Sequence, residues 1–365
     1  MRLGVEAALV RGELVPGDVE VDDGRVVDVG LAGGVPGRTA IPGFVDLQVN
    51  GFGGVDFLAA TTQDYRLAGE ALLATGVTAY QPTFITAAEA TILDALRAVP
   101  ANGSRPRVLG AHLEGPFLSP ERLGTHPQAH RRDPDVALLD RLLDAGHVTE
   151  MTVAPELSGA DAIVRRLLER GVVVSAGHTN ATAEEADRAF DLGISTVTHL
   201  FNAMRPFRSR DPGIVGVALT RRDVFVQLIV DGHHLADETV RLVWAASGGR
   251  LALVTDATAG APNGGGIFQL GDVEIEVAGG PPTREDGVLA GTVLTMIDAV
   301  RNLHALGVSF EDAVGAATTV PAQILGRTDV GVLEPGGAAD VVVIDDGLEI
   351  VNVLCAGEER VVARD

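Results

Sequence analysis

The order of apolar and polar positions divides the chain into a long middle and two shorter ends. Between residues 41 and 255, short apolar runs rich in β-branched residues alternate with longer stretches of helical periodicity. Runs that are apolar throughout are typical of parallel strands covered on both faces. The predicted strands are 41–49, 77–83, 107–113, 151–155, 172–176, 195–199, 224–230 and 251–255.

Amphipathic helices are predicted between most of these strands, at 62–75, 87–98, 135–145, 159–170, 182–192 and 236–247. Eight strand–helix units in roughly 250 residues favour an α/β fold of the (β/α)8 TIM-barrel type. A doubly wound sheet is the alternative, but no GxGxxG motif follows a first strand. Three glycines at 264–266 follow no predicted strand and open no predicted helix, so a loop is expected there.

The two ends of the chain have a different pattern. Residues 1–40 and 330–365 show alternating apolar and polar positions, interrupted by Asp-Gly and Pro-Gly turn signals. Such alternation is typical of short antiparallel strands. Chain termini often lie close together in space. We therefore predict a small, discontinuous β-sandwich domain built from both ends, around a barrel domain spanning 41–329.

Charge and composition exclude several classes of function. The 365 residues include 28 basic and 50 acidic side chains, for a formal net charge of -22, and every basic residue is an arginine. Such an acidic chain is not expected to bind nucleic acid or an anionic membrane. Neither a signal-peptide apolar run nor a membrane-spanning segment is present, so the cytoplasm is the expected location. The single cysteine, Cys355, excludes an intrachain disulfide.

Uncommon polar residues collect where the predicted barrel strands end. Five of the nine histidines lie there, together with several carboxylates and amides: Asp46, Gln48, Asn50, His112, Glu114, His178, His199, Asp231, His233, His234 and Asp256. Barrel enzymes carry their chemistry at this end of the strands. One carboxylate and two imidazoles from three strands make a metal-ligand set, and an aspartate on a fourth strand can act as a base.

The first strand argues against a second metal ion. Barrel hydrolases with paired metals often carry His-x-His at the end of strand 1, whereas this chain has Gln48 and Asn50 there. Glutamine is a neutral and poor zinc ligand, and without lysine no carbamate bridge can form. Gln48 is therefore predicted to occupy a vestigial second-metal position.

Several longer segments carry a family resemblance. They are PGFVDLQVNGFGGVDF (42–57), HLEGPFLSPERLGTHPQAH (112–130), SAGHTNAT (175–182), THLFNAMRPFRSRDPG (198–213), DGHHL (231–235), LVTDATAG (253–260) and LAGTVLTM (289–296). In this order they resemble the N-acetylglucosamine-6-phosphate deacetylases of the amidohydrolase superfamily. The segment LEPGGAADVVVID (333–345) resembles the return to that superfamily's small β-domain.

The resemblance implies roles for individual residues. Glu114, His178 and His199 would hold one divalent ion per subunit, most often zinc, and Asp256 would be the catalytic acid and base. His126 would lie near the acetamide carbonyl as a second catalytic group. The remaining substrate contacts would be Thr125, His126, Asn202, Ala203, Arg210, His234, Leu289, Ala290 and Gly291.

The resemblance also implies an assembly and a reaction. The protein would be a homodimer in which Arg210 reaches the neighbouring subunit's phosphate site. It would hydrolyse the small molecule N-acetylglucosamine 6-phosphate to glucosamine 6-phosphate and acetate, in amino-sugar catabolism. The alternatives are another amidohydrolase, acting on a related N-acetylated sugar or a cyclic amide, and a non-catalytic scaffold. Leu123 stands where relatives often carry lysine, and His233 is expected to be structural.

Overall fold

The computed structural model describes residues 1–100, 104–262 and 264–360. Its centre is a parallel barrel of eight strands, which we number barrel strands 1 to 8. They are Phe44–Val49, Val77–Ile85, Ala111–Glu114, Val148–Val153, Val173–Ala176, Thr196–Val197, Phe225–Leu228 and Leu251–Leu253. A two-residue strand, Arg107–Val108, pairs with strand 2 at the edge opposite strand 1, just before strand 3 in the chain. The predicted fold class is confirmed.

One helix follows each barrel strand, and together these helices surround the barrel. They are Thr62–Ala74, Glu89–Ala98, Val136–Ala145, Ala160–Glu169, Ala183–Leu192, Gly213–Thr220, Asp237–Ser247 and Met296–Ala305. Shorter helices at Phe57–Ala59, Phe310–Ala316 and Thr319–Ile324 complete the set described. Thr61 and Thr182 begin two of the helices with capping boxes, in which side chain and backbone satisfy each other's free donors.

The barrel closes at its C-terminal rim. Strand 1 pairs with strand 2 along its length, but it meets the chain after strand 8 only beyond that strand's end. There the Asp256 N–H donates to the Gln48 carbonyl at 2.9 Å, and the Asn50 N–H donates to the Ala257 carbonyl at 2.8 Å. The closing hydrogen bonds therefore involve the predicted site residues of strands 1 and 8 themselves.

The structure corrects several element predictions. The predicted strand 107–113 is split into two strands, because Gly110 has a positive φ of 108°. The helix Gly213–Thr220 was not predicted, since its sequence is apolar on all sides and shows no helical period. The loop prediction at 264–266 is wrong at Gly266, which opens an antiparallel hairpin of Gly266–Leu270 with Val273–Val277.

Strands from both chain ends form a second, smaller sheet. Its order is Glu13–Pro16, Ala7–Val10, Arg38–Pro42, Val341–Asp345, Ile350–Cys355 and Glu358–Arg360. The hairpin Asp18–Asp22 with Arg25–Leu31 covers a separate apolar core that includes Val5, Val19 and Leu354. The boundaries at 40 and 330 stay a prediction, and residues 361–365 of the predicted domain lie outside the described residues. Within the described part of the chain, no helix combines the length and apolar character needed to cross a bilayer.

Candidate metal centre and catalytic cleft

Glu114, His178 and His199 converge at the C-terminal rim of the barrel, each from a different strand end. Glu114 Oε1 lies 3.0 Å from His178 Nε2 and 2.9 Å from His199 Nε2, and the two nitrogens are 3.1 Å apart. All three side chains are buried. Among the described residues this is the group of three that could hold a metal ion.

The hydrogen-bond partners of His178 show whether a cation fits between the three side chains. Its Nδ1 lies 2.9 Å from the Arg122 carbonyl, which can only accept, so the proton of the neutral ring is on Nδ1. The Nε2 lone pair then faces the Glu114 carboxylate with no proton between them. A cation bound between these two groups would replace their repulsion with attraction to both. Ligands at about 2.0–2.2 Å from a tetrahedral ion lie roughly 3.3–3.6 Å apart, so the three atoms need to separate by only a few tenths of an ångström to hold one.

Asp256 lies next to this triad and is oriented by two amides of strand 1. Its Oδ1 accepts from Asn50 Nδ2 at 2.7 Å and from Gln48 Nε2 at 3.1 Å. Gln48 Nε2 also lies 3.3 Å from Glu114 Oε1. Burial, together with the nearby charge of Glu114, raises the pKa of Asp256 to about 6. A carboxylate with such a pKa can both take and return a proton near neutral pH.

The contacts of His126 fix its tautomer. The Thr86 backbone N–H donates to His126 Nδ1 at 3.2 Å, so this nitrogen carries no proton in the neutral ring. Burial lowers the pKa of His126 to about 4, which keeps the ring neutral at pH 7. The remaining proton is therefore on Nε2, which lies 3.6 Å from Glu114 Oε2. His126 presents a neutral N–H donor to the centre.

Strained backbone accompanies the functional residues. His178, His199 and Asp256 have positive φ values of 48°, 29° and 50°, and Ala203 has 49°. Positive φ is uncommon for residues with a Cβ, and it costs of order 1–3 kcal/mol where it persists. Two of the three metal-ligand candidates and the candidate base are thus held in conformations that the surrounding barrel must enforce.

A cleft of about 400 Å³ opens above the centre. Of the predicted substrate contacts, those that line it are Thr125, His126, Asn202, Ala203, His234, Leu289 and Gly291. Ala290 is buried and is not among the lining residues. The Thr125 hydroxyl donates to the Leu289 carbonyl at 2.9 Å, joining two walls of the cleft. His234 Nδ1 lies 2.7 Å from Asp231 Oδ2, whereas His233 lies outside the cleft.

Arg210 does not line the cleft of its own chain. Its side chain is exposed, and Asp211, the neighbouring acid, pairs with Arg205 at 2.8 Å. Within the described residues no ion pair of Arg210 is found. Leu123 borders a neighbouring surface groove and is not among the residues that line the cleft.

Sequence reasoning missed some of the residues that form the site. Arg122 and Glu121 line the cleft, as do four apolar residues, Ile85, Ile229, Leu270 and Val288. Arg122 lies inside the segment 112–130, so its proximity to the Glu114 motif was a usable signal. The role of the Thr86 backbone had no signal, because a main-chain donor is independent of residue type.

Comparison with known proteins places these features in a family context. The amidohydrolase family model matches residues 39–360. The N-acetylglucosamine-6-phosphate deacetylase of Homo sapiens is 39% identical over 345 residues, covering 88% of this chain and 83% of that protein. The N-acetylgalactosamine-6-phosphate deacetylase of Escherichia coli O157:H7 is 34% identical, with 87% and 86% covered.

Solved structures show the same similarity over the whole chain. The N-acetylglucosamine-6-phosphate deacetylase of Thermotoga maritima superposes with a TM-score of 0.92 at 32% identity and covers 100% of both chains. A mutant of the Mycobacterium smegmatis enzyme, in complex with N-acetyl-D-glucosamine-6-phosphate, gives a TM-score of 0.92 at 35% identity, covering 98% of each chain.

Proposed function

The chain belongs to the amidohydrolase family, in the group of the N-acetylglucosamine-6-phosphate deacetylases, and on that premise we propose that it hydrolyses N-acetylglucosamine 6-phosphate to glucosamine 6-phosphate and acetate. The observation that carries the proposal is the convergence of Glu114, His178 and His199 beside Asp256, at the floor of a cleft. A non-catalytic scaffold would not require a buried ligand set that is held in strained backbone conformations.

The family is metal-dependent, and the triad supplies one carboxylate and two imidazoles for an ion. We propose one Zn²⁺ per subunit. A zinc ion supplies Lewis acidity: it polarises a carbonyl oxygen and lowers the pKa of water toward ~7. The chemistry of Gln48 supports a single ion, because this residue offers only a neutral amide oxygen, which is a poor zinc ligand, while its amide nitrogen donates toward Asp256 and Glu114.

Asp256 would move the proton in both halves of the reaction. Gln48 and Asn50 occupy its Oδ1, and within the described residues no hydrogen bond of Oδ2 is found. Oδ2 would take a proton from the attacking water and then deliver it to the leaving nitrogen. Without that delivery the amide nitrogen is a poor leaving group.

His126 would stabilise the carbonyl oxygen as negative charge develops on it. Its fixed tautomer presents Nε2–H without the need for ring rotation or protonation. A preorganised donor of this kind is commonly worth about 2.7–4 kcal/mol in the transition state.

The sugar and its phosphate would contact the cleft walls, through Thr125, Asn202, Ala203, His234, Leu289 and Gly291. We propose that Arg210 serves the neighbouring subunit of a homodimer, because it is exposed and lies outside its own cleft. Mixing Arg210→Ala with Asp256→Asn subunits tests this: shared sites regain activity in mixed dimers, and a site that uses its own Arg210 regains none. The cytoplasmic location stays a prediction.

Release of acetate from N-acetylglucosamine 6-phosphate, with and without a chelator, tests the function. We expect turnover that the chelator abolishes and zinc restores. N-acetylgalactosamine 6-phosphate is the second substrate to assay, because one relative is named for it. Purified protein without stoichiometric metal, and without acetate release from either sugar, would contradict the proposal.

A further inference from the structure

Arg122 is the arginine that lines the catalytic cleft within the described part of a single chain. Its side chain is half-buried, and it belongs to the loop that follows barrel strand 3. Arg122 Nε and Nη2 donate to Asn180 Oδ1 at 3.1 and 2.9 Å. These two bonds fix the plane of the guanidinium, and no hydrogen bond of Nη1 is found among the described residues.

The partner of its charged group distinguishes Arg122 from other arginines close to the cleft. Arg131, Arg205 and Arg284 each form an ion pair with an aspartate, at 2.6–2.8 Å. Within the described residues, Arg122 has no carboxylate within ion-pair distance, and its partner is a neutral amide. The positive charge is therefore held in place by a neutral partner, without a direct ion pair.

Asn180 is itself oriented so that its oxygen faces Arg122. Its Nδ2 donates to Glu121 Oε2 at 2.8 Å, and its backbone N–H donates to Glu156 Oε1 at 2.7 Å. The amide thus separates the guanidinium from the two carboxylates. In a chain with a formal charge of -22, a fixed and unpaired cation in a cleft is the arrangement that an anionic ligand requires.

We propose that Arg122 determines the specificity for a phosphorylated substrate, by binding the substrate's phosphate group from within the same subunit. This inference rests on the proposed function for the identity of the sugar. Asn180 holds one edge of the guanidinium, so the remaining N–H groups are free to donate to phosphate oxygens. Arg210 from a partner subunit would add a second cation but is not needed for this one.

The side chain can be changed without disturbing the metal centre. His178 is oriented by the backbone carbonyl of Arg122, and that carbonyl is present in every variant. Arg122→Gln removes the charge and keeps a polar side chain. Arg122→Lys keeps the charge but loses the planar pair of donors. Arg132→Gln is the matched control, because Arg132 lies in the same loop, is exposed, and donates only to backbone carbonyls.

The experiment compares kcat/KM for N-acetylglucosamine 6-phosphate and for N-acetylglucosamine, in the metal-loaded enzyme. For Arg122→Gln we expect a loss of roughly 10- to 150-fold with the phosphorylated sugar and less than about 3-fold with the other. Arg122→Lys should lose less than Arg122→Gln. Arg132→Gln should change neither value, and the metal content and Tm of all variants should match the parent protein.

A binding measurement separates this inference from the proposed reaction. Calorimetric titration with glucosamine 6-phosphate and with glucosamine needs no turnover. Phosphate-dependent binding that weakens in Arg122→Gln supports the inference even if neither acetylated sugar is hydrolysed, in which case only the proposed function fails. Equal losses on both sugars, or an unchanged preference for the phosphorylated ligand, would overturn the role of Arg122.

Discussion

Replacing Gly291 with alanine should disable the enzyme through the position of Asp256. Gly291 has a φ of +70°, and a Cβ there would lie 2.6 Å from the Asp256 carbonyl oxygen and 2.7 Å from Thr258 Cγ2. Ordinary contacts of a Cβ begin at 3.4 Å. The backbone of Asp256 or the loop itself must therefore move by nearly 1 Å.

That movement would displace the proposed catalytic carboxylate of Asp256. The Asp256 carbonyl accepts from the Thr292 N–H at 2.9 Å. Because residue 291 directly precedes Thr292, this bond holds it close to the Asp256 carbonyl. The Asp256 side chain is held by Asn50 at 2.7 Å, and it cannot follow its backbone without losing that bond. A displacement near 1 Å of a positioned catalytic group can cost about 10²-fold in rate. We expect a fall of that size in kcat.

Gly287 provides the matched control in the same loop. Its φ is +78°, but no atom lies within 4 Å of a Cβ built there. Both alanine variants pay about 1–2 kcal/mol for the left-handed conformation. For 365 residues this lowers Tm by about 1–3 °C, at ~2.1 cal/mol/K per residue. Steady-state acetate release and thermal unfolding are measured together. If Gly291→Ala keeps more than about a third of the turnover of Gly287→Ala, the positional argument is wrong.

Three further predictions address the metal, the proton and a buried acid. Glu114→Gln should lose bound metal because it removes the charged ligand; elemental analysis checks this, and full metal occupancy would contradict it. Asp256→Asn should keep the metal but lose ~10²–10⁴-fold in turnover, since an amide cannot carry the proton; turnover above about a third of the parent value would refute that role. Burial raises the pKa of Glu150 from 4.5 to about 8, so the folded protein holds a proton that the unfolded chain releases. The free energy of unfolding that comes from this difference in pKa is fully present below pH 4.5 and is lost as pH rises toward 8. Glu150→Gln has no such proton to lose, so it should gain stability relative to the parent as pH rises. Urea unfolding at pH 4.5 and pH 8 checks the sign, and an equal effect at both values would contradict it.

The elements that the sequence predicted well are those with one clear period. All six predicted helices begin within two residues of the observed ones, because each has an apolar stripe and several have a capping residue before the first turn. Gly213–Thr220 lacked the stripe and was missed. The hairpin after residue 265 was missed because half of its strand positions are exposed and neither strand is a continuous apolar run.

The candidate site could be assembled from strand-end positions, but its electrostatics could not. Spacing along the chain indicated which residues reach the rim, and the structure brings Glu114, His178 and His199 within 3.1 Å of one another. That Asn50 orients Asp256, and that Thr86 fixes the tautomer of His126, depends on hydrogen bonds between residues 40 to 206 positions apart. Single-sequence patterns contain no information on such pairs.

His112 shows the same limit one layer below the metal centre. Its Nδ1 lies 3.2 Å from the Leu47 carbonyl, which can only accept, and burial lowers the pKa of His112 to about 4. The neutral ring therefore donates through Nδ1 and accepts through Nε2, from the Thr152 hydroxyl at 2.7 Å. Thr152 in turn accepts from Thr198, and Thr198 accepts from Ser175.

All the hydrogen bonds in this chain of hydroxyls are donated in the same direction. The chain joins the strands that carry the candidate metal ligands. His112 lies two residues before Glu114, so both side chains point into the barrel at successive layers. Thr198 directly precedes His199, whose φ of 29° is strained. Because each donor in the chain has one acceptor, rotating any hydroxyl leaves a buried polar atom unpaired, at a cost of about 1–3 kcal/mol. The polar layer therefore resists the relaxation of strands 3 and 6 that would relieve the strain and separate the ligands.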